Sequence, residues 1–198
     1  NDGATGKNAL AVGVGAKAVG ENAIAIGNVT SDAANSIAIG NNNSLSNSAS
    51  SSTAIGHNNN VTGNEAIALG ANNTVKDFSG VAVGSYNNAE GYRSIAVGAE
   101  NKTKGQWSSA FGVWNIAEGE RATVLGANNT IQGTRALGMG VANEISSASE
   151  YSSAVGAFNK ITDSTKSLTA GFRNTVTGGD KNSVLGNDNT LNNAKNTT

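Results

Sequence analysis

The 198-residue chain lacks several residue types that many folds and active sites need. It has no proline and no cysteine, and only one histidine and one methionine. Proline has no amide proton to donate to a β-ladder, so its absence suits strands that are paired on both edges. Without cysteine there is no disulfide framework and no thiolate metal site. His57 has no acidic cluster beside it in the sequence, so we predict no catalytic residues, no metal and no cofactor.

Charge is also sparse and balanced. The chain has 13 Lys and Arg residues against 14 Asp and Glu residues, for a net charge of −1. These charges are scattered, so they predict no binding of nucleic acid and no direct contact with an anionic membrane. No apolar run approaches the length of a membrane-spanning helix.

A short motif, small–aliphatic–Ala–aliphatic–Gly, recurs along the whole chain. It reads Ala-Ile-Ala-Ile-Gly at 23–27, for example, and Ser-Ile-Ala-Val-Gly at 94–98. Thirteen copies can be aligned on the closing Gly, mostly 14 residues apart and elsewhere 13 to 16. A unit of this length cannot bury its apolar residues alone, so the copies are predicted to stack on one another.

Each copy predicts two short strands separated by turns. The motif alternates in the way that places successive side chains on opposite faces of a strand. In 11 copies an Asn follows the motif Gly by three residues, and an apolar residue usually comes two positions later. Gly and Asn supply the positive φ angles of tight corners, and stacked Asn side chains can form a ladder of amide hydrogen bonds. The fold class predicted is all-β, a two-sided β-solenoid of about 13 coils.

The alternation also suggests which residues form the core and which meet a partner. We predict that the aliphatic pair of each motif fills the roll core: Ile24, Ile26, Ile37, Ile39, Ile67, Leu69, Val81, Val83, Ile95 and Val97. These residues bury too little surface to offset the entropy of ordering each coil. A flat Ala stripe would let another backbone approach closely, so we predict that it forms the interface of a cyclic oligomer: Ala25, Ala38, Ala54, Ala68, Ala82, Ala96, Ala110 and Ala154.

The motifs Asn-Ala-Ile-Ala-Ile-Gly (22–27) and Asn-Ser-Ile-Ala-Ile-Gly (35–40) resemble the head repeat of YadA-like trimeric autotransporter adhesins. The resemblance covers essentially the whole chain, and the period of about 14 residues agrees with it. The Asn-centred second half of each copy is not the commonest form in the family. Copies near the carboxyl terminus degenerate, as in Leu137-Gly138-Met139-Gly140.

The resemblance implies a left-handed parallel β-roll assembled as a homotrimer, with residues 1–198 forming one head domain that contains no neck, stalk or membrane anchor. It implies a non-enzymatic adhesin displayed on the outer membrane of a Gram-negative bacterium through segments outside these residues. Such a head attaches to host matrix, host cells or other bacteria. The partner expected is an extracellular macromolecule, such as a matrix protein, a host cell receptor or a glycan.

Aromatic residues outside the aliphatic positions are the candidates for ligand binding. Tyr86, Trp114 and Phe158 each fall two residues after a motif Gly, and Trp107 falls five residues before one. Exposed aromatic residues on a polar surface mark contact sites, so these four are predicted to bind the ligand. An alternative is that they cover corners or wedge between chains. Residues 44–52 and 144–151 each lengthen a coil by two, either as binding loops or as neutral additions.

Two other solenoid classes were compared with this pattern. A hexapeptide-repeat acyltransferase is also a trimeric β-helix, but it has a six-residue period and three faces per coil. An ice-binding solenoid needs an aligned flat array of Thr, whereas Thr30, Thr62 and Thr74 do not align.

Overall fold

The computed structural model describes residues 3–197. Residues 1, 2 and 198, which the predicted head domain includes, lie outside the described part. The chain divides into two compact units, a first unit Asn1–Glu100 and a second unit Asn101–Thr198. Residues 3–197 form strands and turns only, so the all-β prediction is confirmed.

The strands of the first unit alternate between long and short from β5 onward. β3 and β4 are extended enough to contain both halves of a repeat. Their bounds are β1 Leu10–Val12, β2 Lys17–Ala18, β3 Ile24–Ser31, β4 Ile37–Leu45, β5 Thr53–His57, β6 Asn60–Val61, β7 Ile67–Ala71, β8 Thr74–Val75, β9 Val81–Ser85, β10 Asn88–Ala89 and β11 Ile95–Ala99.

The second unit alternates in the same way as far as β21, whereas β22 and β24 are six residues long. Its strands are β12 Lys102–Thr103, β13 Ser109–Val113, β14 Ile116–Ala117, β15 Thr123–Ala127, β16 Thr130–Ile131, β17 Leu137–Val141, β18 Glu144–Ile145, β19 Ser153–Ala157, β20 Lys160–Thr162, β21 Leu168–Phe172, β22 Thr175–Asp180, β23 Ser183–Asn187 and β24 Thr190–Lys195.

Within each unit the strands pair in parallel with the equivalent strands of the neighbouring coils. Long strands pair with long strands, so that motif Gly lies opposite motif Gly, as Gly126 does opposite Gly140. Short strands pair with short strands in the same way, as β14 does with β16 and β16 with β18. The register holds across the 16-residue copies, where Gly140 lies opposite Gly156. Both units are therefore parallel β-solenoids of about 14 residues per coil, with two strands rather than three faces in most coils.

The interior of each unit is formed by the Ala stripe and by the apolar residue of each short strand. Leu45, Val61 and Val75 are fully buried in the first unit, and Ile131 and Ile145 in the second. The Ala residues predicted to form the oligomer interface all have an exposed fraction of 0% within the single chain: Ala25, Ala38, Ala54, Ala68, Ala82, Ala96, Ala110 and Ala154. A side chain that its own chain encloses cannot contact a second chain, so the prediction of an Ala interface is wrong.

The predicted core pair lies on the opposite, outer face. Ile26 and Ile67 keep 36% and 38% of their surface exposed. The other residues of the predicted core are only partly buried: Ile24, Ile37, Ile39, Leu69, Val81, Val83, Ile95 and Val97. The sequence correctly predicts which side chains share a face of the long strand, but the face predicted to lie inside the roll lies outside, and the face predicted to lie outside lies inside.

The width of the roll explains the exchange. Side chains of the short strands already occupy the interior, so the buried residue of the long strand is small in most coils; Val124, Thr169 and Val184 are the larger residues buried at this position. At Gly138, which replaces the motif Ala, an added Cβ would lie 2.3 Å from Cδ1 of Ile131. The small residue at 138 compensates for the large one at 131, because a close-packed interior conserves volume.

The repeated Asn forms the predicted ladder, and it does so inside the roll. Asn129 is fully buried, and its Nδ2 donates to Oδ1 of Asn115 at 2.9 Å and to the carbonyl of Gly140 at 2.9 Å. Its own Oδ1 accepts from the backbone N and Nδ2 of Asn143 at 2.9 and 3.0 Å. Each Asn thus connects its own coil to the coils on both sides.

The motif Gly is required by the backbone beside this ladder. All 13 motif glycines have φ between 106° and 125°. At Gly140, with φ 118°, a Cβ would lie 1.9 Å from the carbonyl oxygen of Gly156. The second Gly of a coil has a different role: Gly105 has an ordinary φ, but a Cβ there would lie 2.0 Å from the oxygen of Gly119.

Candidate functional site

The outer face of the long strands carries aliphatic and aromatic side chains, and we call it the aliphatic face. In the first unit it contains Ile24, Ile26, Ile37, Ile39, Ile55, Ile67, Leu69, Val81, Val83, Ile95 and Val97. In the second unit it contains Phe111, Leu125, Leu137, Met139, Val155, Leu168 and Leu185. Large contiguous apolar surfaces are uncommon on monomeric soluble proteins and mark interaction sites.

Two columns of left-handed residues border each aliphatic face. The amino-edge column contains the residue five positions before each motif Gly, and the carboxyl-edge column the residue two positions after it. Apart from Gly15 and Val29 in the carboxyl-edge column, the members of both columns have φ of about +50° to +60°, as in Trp107 (55°) and Trp114 (56°). In this region Asn is favoured among residues other than Gly, and it occupies several positions, including Asn58 and Asn128.

The four predicted ligand residues all lie in these columns. Tyr86, Trp114 and Phe158 occupy the carboxyl-edge column with 62%, 56% and 54% of their surface exposed. Trp107 occupies the amino-edge column and is 39% exposed. The structure therefore makes these aromatic residues accessible, and their role in binding remains a prediction.

Two of these aromatic residues, Trp107 and Trp114, are near each other in the sequence but lie apart in the structure. Trp107 and Trp114 precede and follow the same strand, β13, and so stand at its opposite ends. At about 3.3 Å per residue the seven-residue separation corresponds to at most about 23 Å. They belong to two different edges and cannot contact one compact ligand group.

Arginine side chains cover several of the exposed rings. The Cζ of Arg121 lies 4.8 Å from the ring centroid of Trp107, and that of Arg135 lies 5.3 Å from the ring of Tyr151. In the first unit, Arg93 lies over both Phe78 and Tyr92, whose rings are stacked at 5.5 Å. Cations over aromatic faces are held by the ring quadrupole. These arginines are not among the binding residues predicted from the sequence, although their regular position five residues before the motif Gly is visible there.

A further aromatic cluster stands at the carboxyl edge of the second unit. Phe158 and Phe172 meet edge to face at 5.7 Å, and Arg173 lies 4.6 Å from the ring of Phe172. Val113 and Val141 are also exposed along this edge. The corresponding edge of the first unit is polar, where Asn42, Asn58 and Asn72 are joined by side-chain hydrogen bonds.

Ion pairs connect equivalent positions of neighbouring coils. Lys104 pairs with Glu118 at 2.5 Å, and Lys160 pairs with Glu144 at 2.9 Å. The hydrogen bond from Lys104, supported by one from Gln132, holds the pKa of Glu118 below its usual value. Exposed pairs of this kind contribute little to stability individually.

The described residues contain no group of three or more His, Cys, Asp or Glu side chains placed to hold a metal ion. His57 is exposed in β5, one residue after a motif Gly. Among residues 3–197 no helix is long and apolar enough to cross a membrane.

The two longest copies accommodate their extra residues as compact turns. In residues 44–52 the turn closes through a hydrogen bond from the Ala49 amide to the Ser46 carbonyl, with Ala49 buried. In residues 144–151 Ser149 takes the same place, with its amide bonded to the Ser146 carbonyl. Neither copy extends into a long loop.

Stacked two-strand coils, an internal Asn ladder and a Gly with positive φ in every copy define a repetitive β-solenoid of the head-repeat class. The YadA head domain repeat, a two-copy family profile, matches residues 4–29, 48–73, 78–101 and 104–129, just over half of the chain. The chain therefore belongs to the YadA head domain family, as the sequence motifs predicted. Membership implies an adhesin-type, surface-exposed head domain that assembles as a trimer. No curated protein sequence matches the chain.

Proposed function

We propose that this chain is the non-enzymatic head of a trimeric autotransporter adhesin, displayed on the surface of a Gram-negative bacterium. It would be anchored in the outer membrane by other segments of a longer protein. In this role it attaches the cell to host matrix, to host cells or to other bacteria, and it acts in virulence where the target is a host. The observation that carries the proposal is the family repeat, joined to an apolar face that the single chain leaves exposed.

The aliphatic face supports a homotrimer. Ile26, Ile55 and Ile67 are each at least 36% exposed in the single chain. Burial is worth about 25 cal/mol for each Å² of apolar surface, so covering one or two such residues in every coil stabilises an assembly strongly. Closed cyclic symmetry is the common way to cover such a face without open-ended growth. The trimer interface proposed here is thus the aliphatic pair, in place of the Ala stripe.

The exposed aromatic residues support ligand contact at the edges of the roll. Tyr86, Trp114 and Phe158 stand in a left-handed conformation that costs a residue other than Gly or Asn roughly 1–2 kcal/mol. Asn would fit these positions with less strain, so the aromatic side chains are explained better by a surface role than by the backbone. Three chains would present each contact three times, and avidity would raise a modest affinity.

Two measurements test the proposal. Equilibrium sedimentation of the purified chain should give three times the mass of one chain, and a monomer at micromolar concentration would contradict the assembly. Binding of the trimer to an array of matrix proteins, glycans and bacterial cells should identify a target, and the absence of any target would contradict the adhesin role. Trp114→Ala should weaken that binding and leave the trimer's melting temperature unchanged. An equal loss of thermal stability would instead make Trp114 structural.

A further inference from the structure

The amino-edge column of the second unit is occupied entirely by cationic and aromatic residues. Its six members, in consecutive coils, are Trp107, Arg121, Arg135, Tyr151, Lys166 and Lys181. Each is exposed, and each has φ between 51° and 57°. Backbone hydrogen bonds fix the spacing, as when the Arg121 amide donates to the Gln106 carbonyl and the Lys166 amide to the Glu150 carbonyl. At about 4.8 Å per coil the column is about 24 Å long.

This composition is specific to the second unit. The same column of the first unit holds mostly Asn, Ser and Glu: Asn8, Asn22, Asn35, Ser51, Glu65, Ser79 and Arg93. The whole chain has 13 Lys and Arg residues and nine aromatic residues among 198, yet they fill all six positions of this column. The left-handed backbone favours Asn over all of them, so the backbone does not account for the choice.

The side chains are already arranged as alternating cations and rings. Arg121 lies over the ring of Trp107, and Arg135 lies over the ring of Tyr151 and donates to its hydroxyl. Guanidinium groups held in this way are oriented for bidentate contact with a planar or tetrahedral anion.

A second column of hydrogen-bonding residues stands one position earlier in each coil. Its members are Gln106, Glu120, Thr134, Glu150, Thr165 and Asp180. Glu120 lies 3.6 Å from Arg121, and Asp180 lies 3.8 Å from Lys181 and accepts a hydrogen bond from Thr165. The strip as a whole therefore combines cations, ring faces, carboxylates and hydroxyls along one line.

We propose that the amino-edge column of the second unit binds an acidic polysaccharide lengthwise, a refinement that rests on the adhesin function proposed above. Arg121, Arg135, Lys166 and Lys181 pair with the carboxylate or sulfate groups of the glycan. The exposed surfaces of Trp107 and Tyr151, 39% and 46% of each residue, contact the apolar C–H groups of sugar rings. Glu120, Glu150 and the neighbouring Gln and Thr residues accept hydrogen bonds from sugar hydroxyls.

The carboxylates favour a polysaccharide over a polynucleotide. A nucleic acid carries a phosphate on every nucleotide, and its binding sites combine stacking rings with a continuous positive groove. Here three acidic residues interrupt the cations, which would repel a closely spaced row of phosphates. A glycan with hydroxyl groups between its anionic groups can use both kinds of side chain.

The test measures binding of the purified 198-residue chain to immobilised heparin and to hyaluronan at about 0.15 M salt, where distant surface charges are screened. The test variant is Arg121→Asn with Arg135→Asn, because Asn is native to this column in the first unit and keeps the fold. The matched control is Lys160→Asn with Arg173→Asn, which removes the same charge from exposed positions where other coils carry Asn60 and Asn128.

The test variant should raise the dissociation constant at least about tenfold, and the control less than about twofold. The ratio between heparin and hyaluronan tells whether sulfate or carboxylate is the anion recognised. Equal losses in the two variants, or no binding of the unaltered chain to either polysaccharide, would overturn the proposal. Tighter binding to single-stranded DNA with the same dependence on Arg121 and Arg135 would also overturn it, in favour of a polynucleotide.

A cell assay separates this inference from the adhesin function on which it rests. Beads coated with the trimer should lose most of their attachment to host cells after enzymatic removal of acidic glycans. Attachment that persists unchanged would refute the polysaccharide and leave the adhesin function intact. Failure to attach to any cell or matrix surface before treatment would refute the adhesin function itself.

Discussion

The Asn ladder predicts that one buried amide contributes more to stability than its exposed neighbour. In Asn129→Ala four hydrogen bonds shorter than 3.1 Å are lost: two donated by Nδ2 to Asn115 and Gly140, and two accepted from Asn143. Each bond contributes about 1 kcal/mol net, and a buried donor left without a partner costs about 1–3 kcal/mol. The amide of Asn143 would become such a donor. We expect a loss of about 3–5 kcal/mol in the free energy of unfolding.

The adjacent Asn128 provides the control. It stands in the carboxyl-edge column with φ 57°, where Ala142 occurs natively with φ 53°. Asn128→Ala removes the same atoms, but the only stabilising effect lost is the preference of Asn for the left-handed conformation. We therefore expect a loss of about 1 kcal/mol in the free energy of unfolding. Both variants have the same composition and charge, and they differ in one position along the chain.

Urea denaturation followed by far-ultraviolet circular dichroism, at one fixed protein concentration, measures both losses. Because a solenoid can unfold coil by coil, hydrogen exchange supplies a local readout. Asn129→Ala should lower protection most at the Asn143 amide and in the coils on either side. A loss for Asn129→Ala no larger than that for Asn128→Ala would refute the reasoning, as would unchanged protection at Asn143.

Three further predictions follow from the orientation of the long strands, the motif Gly and the ion pairs. Ala68→Leu should cost about 1–3 kcal/mol of folding stability, because the larger side chain overpacks the interior. Ile67→Thr, on the outer face, should mainly raise the trimer's dissociation constant in sedimentation. The reverse pattern would contradict the assignment of Ala68 to the interior and Ile67 to the outer face. Gly140→Ala should cost more than about 3 kcal/mol or prevent folding, since it combines φ 118° with a Cβ only 1.9 Å from the carbonyl oxygen of Gly156, while Ala142→Asn should be neutral or stabilising in thermal melts. The lowered pKa of Glu118 means that its contribution is present above its ordinary value of 4.5 and is lost as the pH falls below it. Glu118→Gln should therefore flatten the fall of the urea midpoint below pH 4.5, and an unchanged fall would assign the acid sensitivity to other carboxylates.

Much of this fold could be predicted from the period alone. Spacing of the motif Gly gave the coil length, alternation gave the long strand, and the recurrent Asn gave the ladder that the hydrogen bonds confirm. Each of these features is local or repeats in register, so one copy reinforces the next. The prediction of one domain over residues 1–198 stays a prediction, because each compact unit is described by itself.

The assignment of faces could not be made in the same way. Alternation tells which side chains share a face, but it does not tell which face is inside. That choice depends on the volume the opposite strand leaves free, which is a property of paired residues such as Ile131 and Gly138. The useful signal would have been the summed side-chain volume of the short strand and the long strand of one coil. Val, Ile or Leu on the short strand leaves room for Ala on the inner face of the long strand, but not for a second row of aliphatic residues.

Proximity in the sequence is also a poor guide to which aromatic residues lie together. Trp107 and Trp114 are seven residues apart in the sequence, which is half a coil, and half a coil separates opposite edges of the long strand. Residues on one edge recur at the full period, as Trp107, Arg121 and Arg135 do. The period of 14 residues, more than proximity in the sequence, decides which surface residues can act together.

The motif itself explains why the single chain leaves an apolar face open. Ile-Ala-Ile is an almost continuous apolar run, and such runs are typical of parallel strands that are covered on both faces. The chain's own short strands cover only the inner face, where Ala25 and Ala38 are fully buried. The outer position of Ile24 and Ile37 is taken by Thr53 and Ser109 in other coils, so the strand pairing itself also accepts polar residues there. We therefore infer that the aliphatic residues on the outer face serve assembly, and that the repeat which specifies the fold also supplies a partner surface of matching period.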